Sequence, residues 1–291
     1  MKKFVIIVGP TGSGKTKLSL EIASHFHGEI INGDSVQVYQ GLDIGSAKIK
    51  EDEKRGIKHH LLDIKDPHDS YSVYDFQQDV RKLIEDIPFP IIVGGTGFYI
   101  NAAISHFEFV EEKRDTAFDR SYDHLSNEQL YQELIKYDPE ITIDLNNRRR
   151  VLRALEQALA GTPRSKKIKK DERLYHPLII YLDVDRKILI DLLWQRLEKQ
   201  IKDGFIEEVE RLRDQDIHIN AIGYREIDSY LAQELTFDAM KDAIIKASKM
   251  LAKKQKTYFI NQMHPHVFDA LSKTLTEDVI QLIENYMEEN V

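Results

Sequence analysis

Short apolar runs alternate with amphipathic stretches along the first hundred residues of the chain. Three runs have the length and β-branched composition of buried strands: 4–8, 29–32 and 90–93. After the first run, Leu18, Ile22 and Phe26 recur every four residues and predict a helix with one apolar face. Ser72 with Asp75 has the spacing of a helix N-cap, and apolar positions follow it at helical intervals. Because strands alternate with helices, the pattern favours a parallel sheet.

The pattern changes near residue 108, where helical signals replace the alternating ones. A capping box begins at Ser126, Asp138-Pro139 has the sequence of a helix start, and residues 147–160 predict a further helix. No convincing strand occurs in this stretch. We therefore predict that residues 108–177 form an inserted all-helical domain.

An apolar run at residues 178–183 restores the strand pattern. Two helices, a loop around residues 221–226 and a long helix over about 238–261 follow it. Since the strand pattern resumes after the helical stretch, we predict one α/β core formed by residues 1–107 and 178–291, with helices at its C-terminal end.

A glycine-rich motif follows the first predicted strand and precedes the first predicted helix. It has the pattern G-x-x-x-x-G-K-[ST] and consists of Gly9, Pro10, Thr11, Gly12, Ser13, Gly14, Lys15 and Thr16. In this context, backbone N–H groups at a helix N-terminus hold a pyrophosphate group, Lys15 adds a positive charge, and Thr16 offers a hydroxyl to Mg²⁺. We therefore expect a P-loop NTPase-like three-layer α/β core with a parallel sheet. The loop alone does not identify the molecule that carries the pyrophosphate.

The composition is typical of a soluble globular protein. Of the 291 residues, 42% are hydrophobic and 31% are charged. No apolar run approaches the roughly 20 residues of a membrane helix, and the chain begins without the pattern of a signal peptide. The absence of cysteine excludes disulfides, thiolate catalysis and Cys-based zinc sites. These observations predict a cytoplasmic protein without a membrane partner.

The charge is distributed unevenly along the chain. The formal net charge is −8, but the segment 146–170 contains nine basic residues and one acidic residue, so it carries +8 and the rest carries −16. A local basic segment of this kind is expected of a nucleic-acid contact, although a solvated helix face and a charged loop would give the same count.

Two polar residues stand where predicted strands end. Asp34 follows the second strand and Thr96 the third, and ligands of open α/β sheets bind outside these carboxyl ends. Asp34 fits a general base or an Asx-turn, and Thr96 fits a substrate contact or a helix cap. The third strand ends in Gly-Gly-Thr rather than in the acidic residue that often holds Mg²⁺ in nucleoside-triphosphate hydrolases, which weakens an ATPase interpretation.

A third candidate, Arg225, follows a glycine in the predicted loop 221–226. An arginine there fits either the neutralisation of a leaving phosphate or a surface salt bridge. The eleven histidines show no metal-binding spacing.

Six motifs in sequence order carry a family resemblance. They are residues 9–16, 34–39 continuing through 43–48, 60–63, 94–99, 147–156 and 222–226. Together they resemble the tRNA dimethylallyltransferases, also called tRNA isopentenylpyrophosphate transferases, over nearly the whole chain. The phosphate loop alone is shared by many enzymes, whereas the combination is specific.

The resemblance implies a reaction and a set of partners. It implies that the dimethylallyl group of dimethylallyl diphosphate is transferred to N6 of an adenosine beside the tRNA anticodon, with diphosphate released. The partners would be the anticodon stem–loop of a tRNA and dimethylallyl diphosphate, with Mg²⁺ as cofactor, and the enzyme would act as a monomer.

The resemblance also implies roles for individual residues. The loop 9–16 would hold the diphosphate, Asp34 would take a proton from N6, Thr96 would position the substrate, and Arg225 would stabilise the leaving diphosphate. The residues that match tRNA contacts of the family are Asp34, Ser35, Val36, Gln37, Thr96, Arg120, Arg149, Arg150, Val151, Leu152 and Arg153.

The chain departs from the family pattern at four positions. Lys249 and Lys254 stand where relatives often have arginine, Tyr258 where tryptophan is frequent, and Leu192 where arginine is common. The two lysines keep the positive charge but not bidentate phosphate geometry. Three alternatives remain open at this point: a small-metabolite kinase, a nucleotide-switched RNA-binding protein, and a prenyltransferase acting on free adenine nucleotides.

Overall fold

The computed structural model describes residues 2–107, 116–166 and 173–289. Backbone contacts divide the chain into two compact units. The first consists of Met1–His106 with Arg173–Val291, and the second of Phe107–Glu172. The second unit therefore begins one residue earlier than the predicted insertion and ends five residues earlier.

A six-stranded parallel sheet forms the centre of the first unit. Its strands are β1 (Val5–Val8), β2 (Glu29–Asn32), β3 (His59–His60), β4 (Pro90–Gly94), β5 (Leu178–Asp183) and β6 (His266–Asp269). Their spatial order is β3-β2-β4-β1-β5-β6, and every neighbouring pair is parallel. The predicted α/β class is confirmed, and β1, which leads into the phosphate loop, lies between β4 and β5.

Helices cover both faces of the sheet, and further helices belong to the C-terminal part of the chain. Those of the first unit are α1 (Lys15–Phe26), α2 (Val73–Asp86), α3 (Gly97–Ile104), α7 (Arg186–Lys202), α8 (Phe205–Asp214), α9 (Tyr224–Leu231), α10 (Phe237–Tyr258) and α11 (Leu275–Glu288). The second unit contains α4 (Thr116–Ser121), α5 (Asn127–Tyr137) and α6 (Arg148–Leu159). In the described ranges, none of these helices combines the length and apolarity that a membrane crossing requires.

The alternation of side chains along β1 gives the three layers. Phe4, Ile6 and Val8 belong to the core on one face of the sheet, which contains residues of α2 and α3. Val5 and Ile7 belong to the core on the other face, which contains residues of α1 and α11. Because successive strand residues point to opposite faces, one fully buried apolar strand supplies both cores.

A third core lies among the helices that follow the sheet. It contains buried residues of α7, α8, α9 and α10, together with Leu42 from the loop after β2. This core therefore fixes the later helices against the segment that follows Asp34, and it forms much of the wall of the site described below.

The second unit has a core of its own, formed mainly by α5 and α6. Leu130 and Leu134 pack with Val151, Leu152 and other apolar residues of α6. The predicted capping box is present at the start of α5, where Ser126 Oγ accepts a hydrogen bond from the Gln129 backbone over 3.3 Å.

The predicted helix start at Asp138-Pro139 is wrong, because the chain forms a turn there. The Asp138 carboxylate is buried and accepts hydrogen bonds from the backbone N–H and the hydroxyl of Ser165. It is thus committed to a neighbouring loop rather than to capping a helix.

The second predicted boundary also shifts. Residues 173–177 belong to the first unit, since the backbone N–H groups of Leu174 and Tyr175 both donate to the carbonyl of Ile104. Tyr175 is also buried in the core on the α2 side of the sheet. Among the described strands and α-helices, β3, β6, α4, α9 and α11 were not predicted. The strand β3 is only two residues long, and β6 is mostly exposed.

We expect the core of α6 to stabilise the second unit. Leu155→Ala removes a fully buried side chain and should cost about 2–5 kcal/mol, because the truncation leaves a cavity. Leu159 lies on the same helix and is 42% exposed, so Leu159→Ala is the matched control. Limited proteolysis should detect faster cleavage of the second unit in Leu155→Ala alone. Equal cleavage rates in the two variants would contradict this assignment of the core.

Candidate active site

The phosphate loop joins β1 to α1 at the carboxyl edge of the sheet. Gly12 and Gly14 have φ of 85° and 82°, in the left-handed region that favours glycine. A β-carbon on Gly9 would lie 2.8 Å from the carbonyl oxygen of Leu182, so the loop packs too closely on β5 for any side chain there. Ser13 is buried within the loop. The loop therefore forms the predicted turn at a helix N-terminus.

Lys15 begins α1 and is folded along the loop. Its Nζ donates to the carbonyl oxygens of Gly9 and Pro10 over 2.9 and 2.8 Å. Burial lowers the pKa of Lys15 to about 8; the nearby Arg196 guanidinium also lowers it, and Asp34 opposes both effects. An anion placed beside Lys15 would favour its charged form.

Asp34 is held in a tight turn after β2. Asn32 is buried and accepts from the Asp34 backbone N–H over 3.0 Å, while its amide donates to the carbonyls of Asp34 and Leu61. One carboxylate oxygen of Asp34, Oδ1, accepts from Val36 N over 2.8 Å. The Asx-turn interpretation is thus correct for Oδ1. In the described ranges, no hydrogen bond is formed by Oδ2, so this geometry also permits a contact with a substrate.

Thr96 lies beside this turn because β2 and β4 are neighbours. Its Oγ1 accepts from Ser35 N over 3.3 Å, and its N–H donates to the carbonyl of Gly33 over 3.3 Å. Thr96 occupies the N-cap position of α3, but its side chain makes no capping hydrogen bond. The helix-cap alternative is therefore excluded, whereas the hydroxyl is directed to the Asp34 turn.

Two cavities meet at this edge of the sheet. The smaller, of about 180 Å³, is lined by Gly12, Gly14, Lys15, Thr16 and Gln37 among others. The larger, of about 550 Å³, includes Ser35, Val36, Thr96 and Arg225 in its lining. Both share the same five lining residues, namely Thr11, Asp34, Ser46, Gly95 and Arg196. A polar cavity at the phosphate loop thus joins a second cavity at Asp34.

The far wall of the larger cavity is apolar. Leu193, Leu197 and Phe205 line it from α7 and α8, and Ile244 and Ile245 line it from α10. All five side chains are buried in the third core. The joined cavities therefore suit a molecule with a charged end and an apolar or aromatic end.

Arg196 is the residue of this site that sequence reasoning missed. It lines both cavities from α7, burial lowers its pKa, and the Asp34 carboxylate raises it. Its neighbours Leu193 and Leu197 are core residues, so in sequence Arg196 looks like one more polar position on an amphipathic helix. Only the fold places its charge beside Lys15.

Arg225 lies in the first turn of α9, not in the predicted loop. Its guanidinium donates to Glu226 Oε1 over 3.0 and 2.9 Å and to Asn220 Oδ1 over 3.4 Å. Glu226 Oε2 accepts from Gly223 N, which has φ of 92° and begins the helix. Arg225 therefore forms a salt bridge and also lines the larger cavity, so the salt-bridge interpretation is confirmed and the role at a leaving phosphate stays a prediction.

The positions that depart from the family pattern lie at or near this site. Lys254 and Tyr258 line the larger cavity, and Tyr258 Oη accepts from Asn101 over 3.2 Å. Lys249 is exposed on α10. The Leu192 β-carbon would be 3.8 Å from a β-carbon on Gly12, so this leucine faces the phosphate loop without offering it a charge.

The arginine-rich helix α6 belongs to the second unit. Arg149 and Arg150 are exposed, and Arg120 is exposed on α4. Burial lowers the pKa of Arg164, and the positive charges of Arg150 and Arg153 lower it further. The second unit therefore gathers like charges on its surface, as a polyanion contact requires.

The prediction of tRNA contacts disagrees with the structure at two positions. The side chains of Val151 and Leu152 are 0% and 4% exposed and pack in the core of α5 and α6. Helical periodicity explains the difference, because four consecutive residues cannot all face outward. Arg153 is half-buried and pairs with Glu156, one turn later. The basic residues at 167, 169 and 170 lie outside the described residues.

The donor set at the phosphate loop fits Mg²⁺ bound chiefly through phosphate. Thr16 is exposed at the start of α1 and lines the smaller cavity. Within residues 2–107, 116–166 and 173–289, no group of three His, Asp or Glu side chains is arranged to hold a metal. Mg²⁺ commonly keeps water and substrate oxygens as ligands, so a single hydroxyl in this place is sufficient.

Comparison with known proteins identifies the family. A family model described as IPP transferase matches residues 37–262. A protein named tRNA dimethylallyltransferase from Acholeplasma laidlawii is 48% identical over 287 residues, which is 99% of each chain. Among solved structures, the full-length tRNA isopentenylpyrophosphate transferase from Bacillus halodurans has a TM-score of 0.76 at 36% identity and covers 99% of this chain and 97% of its own.

A more distant structure has a higher structural similarity. It is a eukaryotic dimethylallyltransferase acting on tRNA, with a TM-score of 0.86 at 25% identity, and the match covers 99% of this chain and 80% of that one. The family match, the relatives and the P-loop-like fold agree with the resemblance found in the sequence. The chain therefore belongs to the IPP transferase family, in which its relatives are named tRNA dimethylallyltransferases.

Proposed function

We propose that this protein transfers the dimethylallyl group from dimethylallyl diphosphate to N6 of the adenosine adjacent to the anticodon in tRNA, releasing diphosphate. The observation that carries the proposal is the pair of joined cavities, with a phosphate loop in one and an apolar wall in the other. Asp34 lies where they join. A diphosphate in the smaller cavity would place its organic group in the larger one.

The leaving group is the first requirement of this reaction. The bond between C1 of the allyl group and the diphosphate oxygen breaks, and its electron pair goes to that oxygen. Loop N–H groups, Lys15 and Arg196 would stabilise this negative charge, because the loop and both cations line the smaller cavity. Fixed donors and cations in a partly buried site stabilise such charge without reorganisation. Arg225 would add a third cation from the larger cavity.

The nucleophile is the second requirement. The exocyclic amine of adenine attacks C1, and the new C–N bond leaves a surplus proton on N6. We propose that Asp34 accepts this proton, because its backbone is held by Asn32 and its carboxylate by the Val36 N–H at the junction of the cavities. The Thr96 hydroxyl accepts from the Ser35 N–H and so lies beside Asp34, where it would position the adenine of the substrate.

Mg²⁺ is the proposed cofactor. Thr16 would hold it together with diphosphate oxygens, and the ion would neutralise part of the charge on the leaving group. We further propose that the protein acts as a cytoplasmic monomer.

The tRNA is proposed to contact the second unit through phosphate. Arg149, Arg150 and Arg153 lie on α6, and Arg120 on α4 is a further candidate. An anticodon loop offers unpaired bases, so an adenosine can leave the stack and enter a pocket. This charge distribution favours tRNA over a free adenine nucleotide as the acceptor.

The proposed base is tested by Asp34→Asn, which keeps the shape of the side chain and removes its charge. With unmodified tRNA, Mg²⁺ and radiolabelled dimethylallyl diphosphate, we expect kcat to fall by about 10²–10⁴-fold, because proton removal from N6 is lost. The tRNA dissociation constant should stay within about twofold, since phosphate contacts set most of the affinity.

Asp69→Asn, an exposed carboxylate on the loop before α2, is the control and should behave as the wild type. Full activity of Asp34→Asn would remove Asp34 as the base. If the wild type leaves tRNA unlabelled but transfers phosphate from ATP, the chain is a kinase and the proposed function is wrong.

The proposed tRNA surface is tested by salt dependence. Arg149→Ala should weaken tRNA binding and reduce the slope of log K against log salt by about one, because one phosphate contact is lost. Lys136→Ala is the control, since this exposed lysine of the same unit is paired with Glu133. An Arg149→Ala slope equal to that of the wild type would exclude a phosphate contact at this position.

The electrostatics of Lys15 predict a pH dependence of pyrophosphate binding. The pKa of the free protein's lysine is about 8, so raising the pH through 8 removes its charge, and affinity for pyrophosphate should fall. Below pH 8 the lysine is already protonated, so the affinity for pyrophosphate no longer depends on its titration. Calorimetry in buffers of different ionisation enthalpy should show proton uptake on binding at pH 8–9.

Lys15→Arg serves as the control, because arginine keeps its charge over this range. Since the titration of pyrophosphate itself is common to both proteins, the difference between them isolates Lys15. Identical proton uptake by the two proteins would exclude Lys15 as the titrating group.

A further inference from the structure

A buried carboxylate lies behind the wall of the larger cavity. Glu208 of α8 is 1% exposed and accepts four hydrogen bonds. Its Oε2 accepts from the backbone N–H of Asp43 and Ile44 over 2.9 and 2.7 Å, and its Oε1 accepts from Gly45 N over 3.0 Å. The hydroxyl of Tyr224 donates to Oε1 over 2.8 Å. The three successive N–H groups form a concave anion-binding site, called a nest. A carboxylate makes stronger hydrogen bonds in such a site than a neutral group would.

The loop that supplies these three N–H groups, residues 43–47 (the 43–47 segment), is also held by a second helix. Gln200 of α7 donates through Nε2 to the carbonyls of Ile44 and Gly45 over 2.6 and 3.0 Å. A β-carbon on Gly45 would lie 2.1 Å from the Phe205 ring and 2.6 Å from the ring of Tyr224. The segment is therefore in direct backbone contact with α8 and the start of α9.

The 43–47 segment forms part of both cavities. Gly45 and Ser46 line the larger one, and Ser46 and Ala47 line the smaller one. The carbonyl of Ser46 accepts from Gln37 Nε2 over 3.0 Å, and Gln37 lies on the turn that begins at Asp34. Hydrogen bonds thus connect Glu208 to the Asp34 turn through this segment.

Glu208 also reaches the site from a second direction. Tyr224, whose hydroxyl it binds, precedes Arg225 at the start of α9. Burial raises the pKa of the Tyr224 phenol, and the Glu208 charge raises it further, so the phenol remains a donor. One carboxylate therefore sets the position of the 43–47 segment and of the helix turn that carries Arg225.

We propose that Glu208 is a positioning residue for prenyl transfer, which holds the 43–47 segment and Tyr224 in the arrangement that shapes both substrate cavities. The proposal rests on the proposed function for its kinetic consequences. Glu208 does not touch the reacting atoms. It acts through the segment and through Arg225, and its negative charge is required because all four of its partners are donors.

The test replaces the carboxylate by an amide of nearly equal volume. Glu208→Gln retains one oxygen acceptor, but its NH₂ group faces a donor. We expect the KM for dimethylallyl diphosphate to rise by about tenfold or more with a smaller change in kcat, because misplaced walls weaken ground-state and transition-state binding alike. Glu208→Asp keeps the charge and should recover part of the loss, and Tyr224→Phe should have a smaller effect because the three backbone donors remain.

Hydrogen exchange provides a readout that does not require activity. In Glu208→Gln, exchange at the backbone amides of residues 43–45 should accelerate by about tenfold or more, whereas β1 and β4 should remain protected as in the wild type. Glu210→Gln, on the exposed face of the same helix, is the control and should leave both readouts unchanged.

Each other outcome contradicts a defined part of the proposal. Wild-type KM and wild-type exchange at residues 43–45 in Glu208→Gln would overturn it, and so would faster exchange throughout the sheet, which indicates a role in stability alone. If Glu208→Gln does not fold, Glu208→Asp and Tyr224→Phe decide, because each alters a contact of Glu208 itself and should accelerate exchange at that contact. If the wild type transfers no prenyl group, the proposed function fails, while exchange and pyrophosphate affinity still test Glu208.

Discussion

The site depends on a backbone contact between two neighbouring strands. A β-carbon on Gly94 would lie 2.2 Å from the carbonyl carbon and oxygen of Gly33, so the carboxyl ends of β2 and β4 approach more closely than side chains allow. The next polar residues of each strand end, Asp34 and Thr96, are therefore joined through the Ser35 N–H. A side chain on Gly94 would collide with the Gly33 backbone, so glycine is required here, and the arrangement of the candidate site follows from it.

The same edge of the sheet concentrates opposite charges in a small volume. Burial lowers the pKa of both Lys15 and Arg196, and the Asp34 carboxylate opposes this effect on each. A diphosphate entering the loop would take over part of that role, because its negative charge favours the charged forms of Lys15 and Arg196.

The sequence was sufficient to predict those elements whose local residue pattern agrees with the fold. The four longest buried strands, the phosphate loop and the Ser72 cap all follow from apolar runs and short-range spacing. The strands β3 and β6 are too short or too exposed to leave such a pattern. Arg225 lies in the first turn of α9 rather than in the predicted loop, because Gly223, interpreted as a loop residue, instead begins this helix.

Residues that act through long-range contacts could not be found in this way. Arg196 and Glu208 are each a single charged residue on an amphipathic helix, and Glu208 lies 163 positions from Gly45, which it holds. Conversely, the motif around α6 predicted contacts for Val151 and Leu152, which pack in a core. A motif marks a segment, whereas the helical period decides which of its side chains reach the surface.

The distribution of charge separates binding of RNA from chemistry. The segment 146–170 carries +8, while the rest of the chain, which includes other parts of the second unit, carries −16. This segment is therefore the part of the chain that favours a polyanion. Burial lowers the pKa of Arg164, and the positive charges of Arg150 and Arg153 lower it further, so like charges lie close together in the free protein. Phosphate groups would relieve that repulsion. Affinity for tRNA is therefore expected to arise around this basic segment of the second unit, whereas Lys15 and Arg196 line the smaller cavity that would hold the diphosphate.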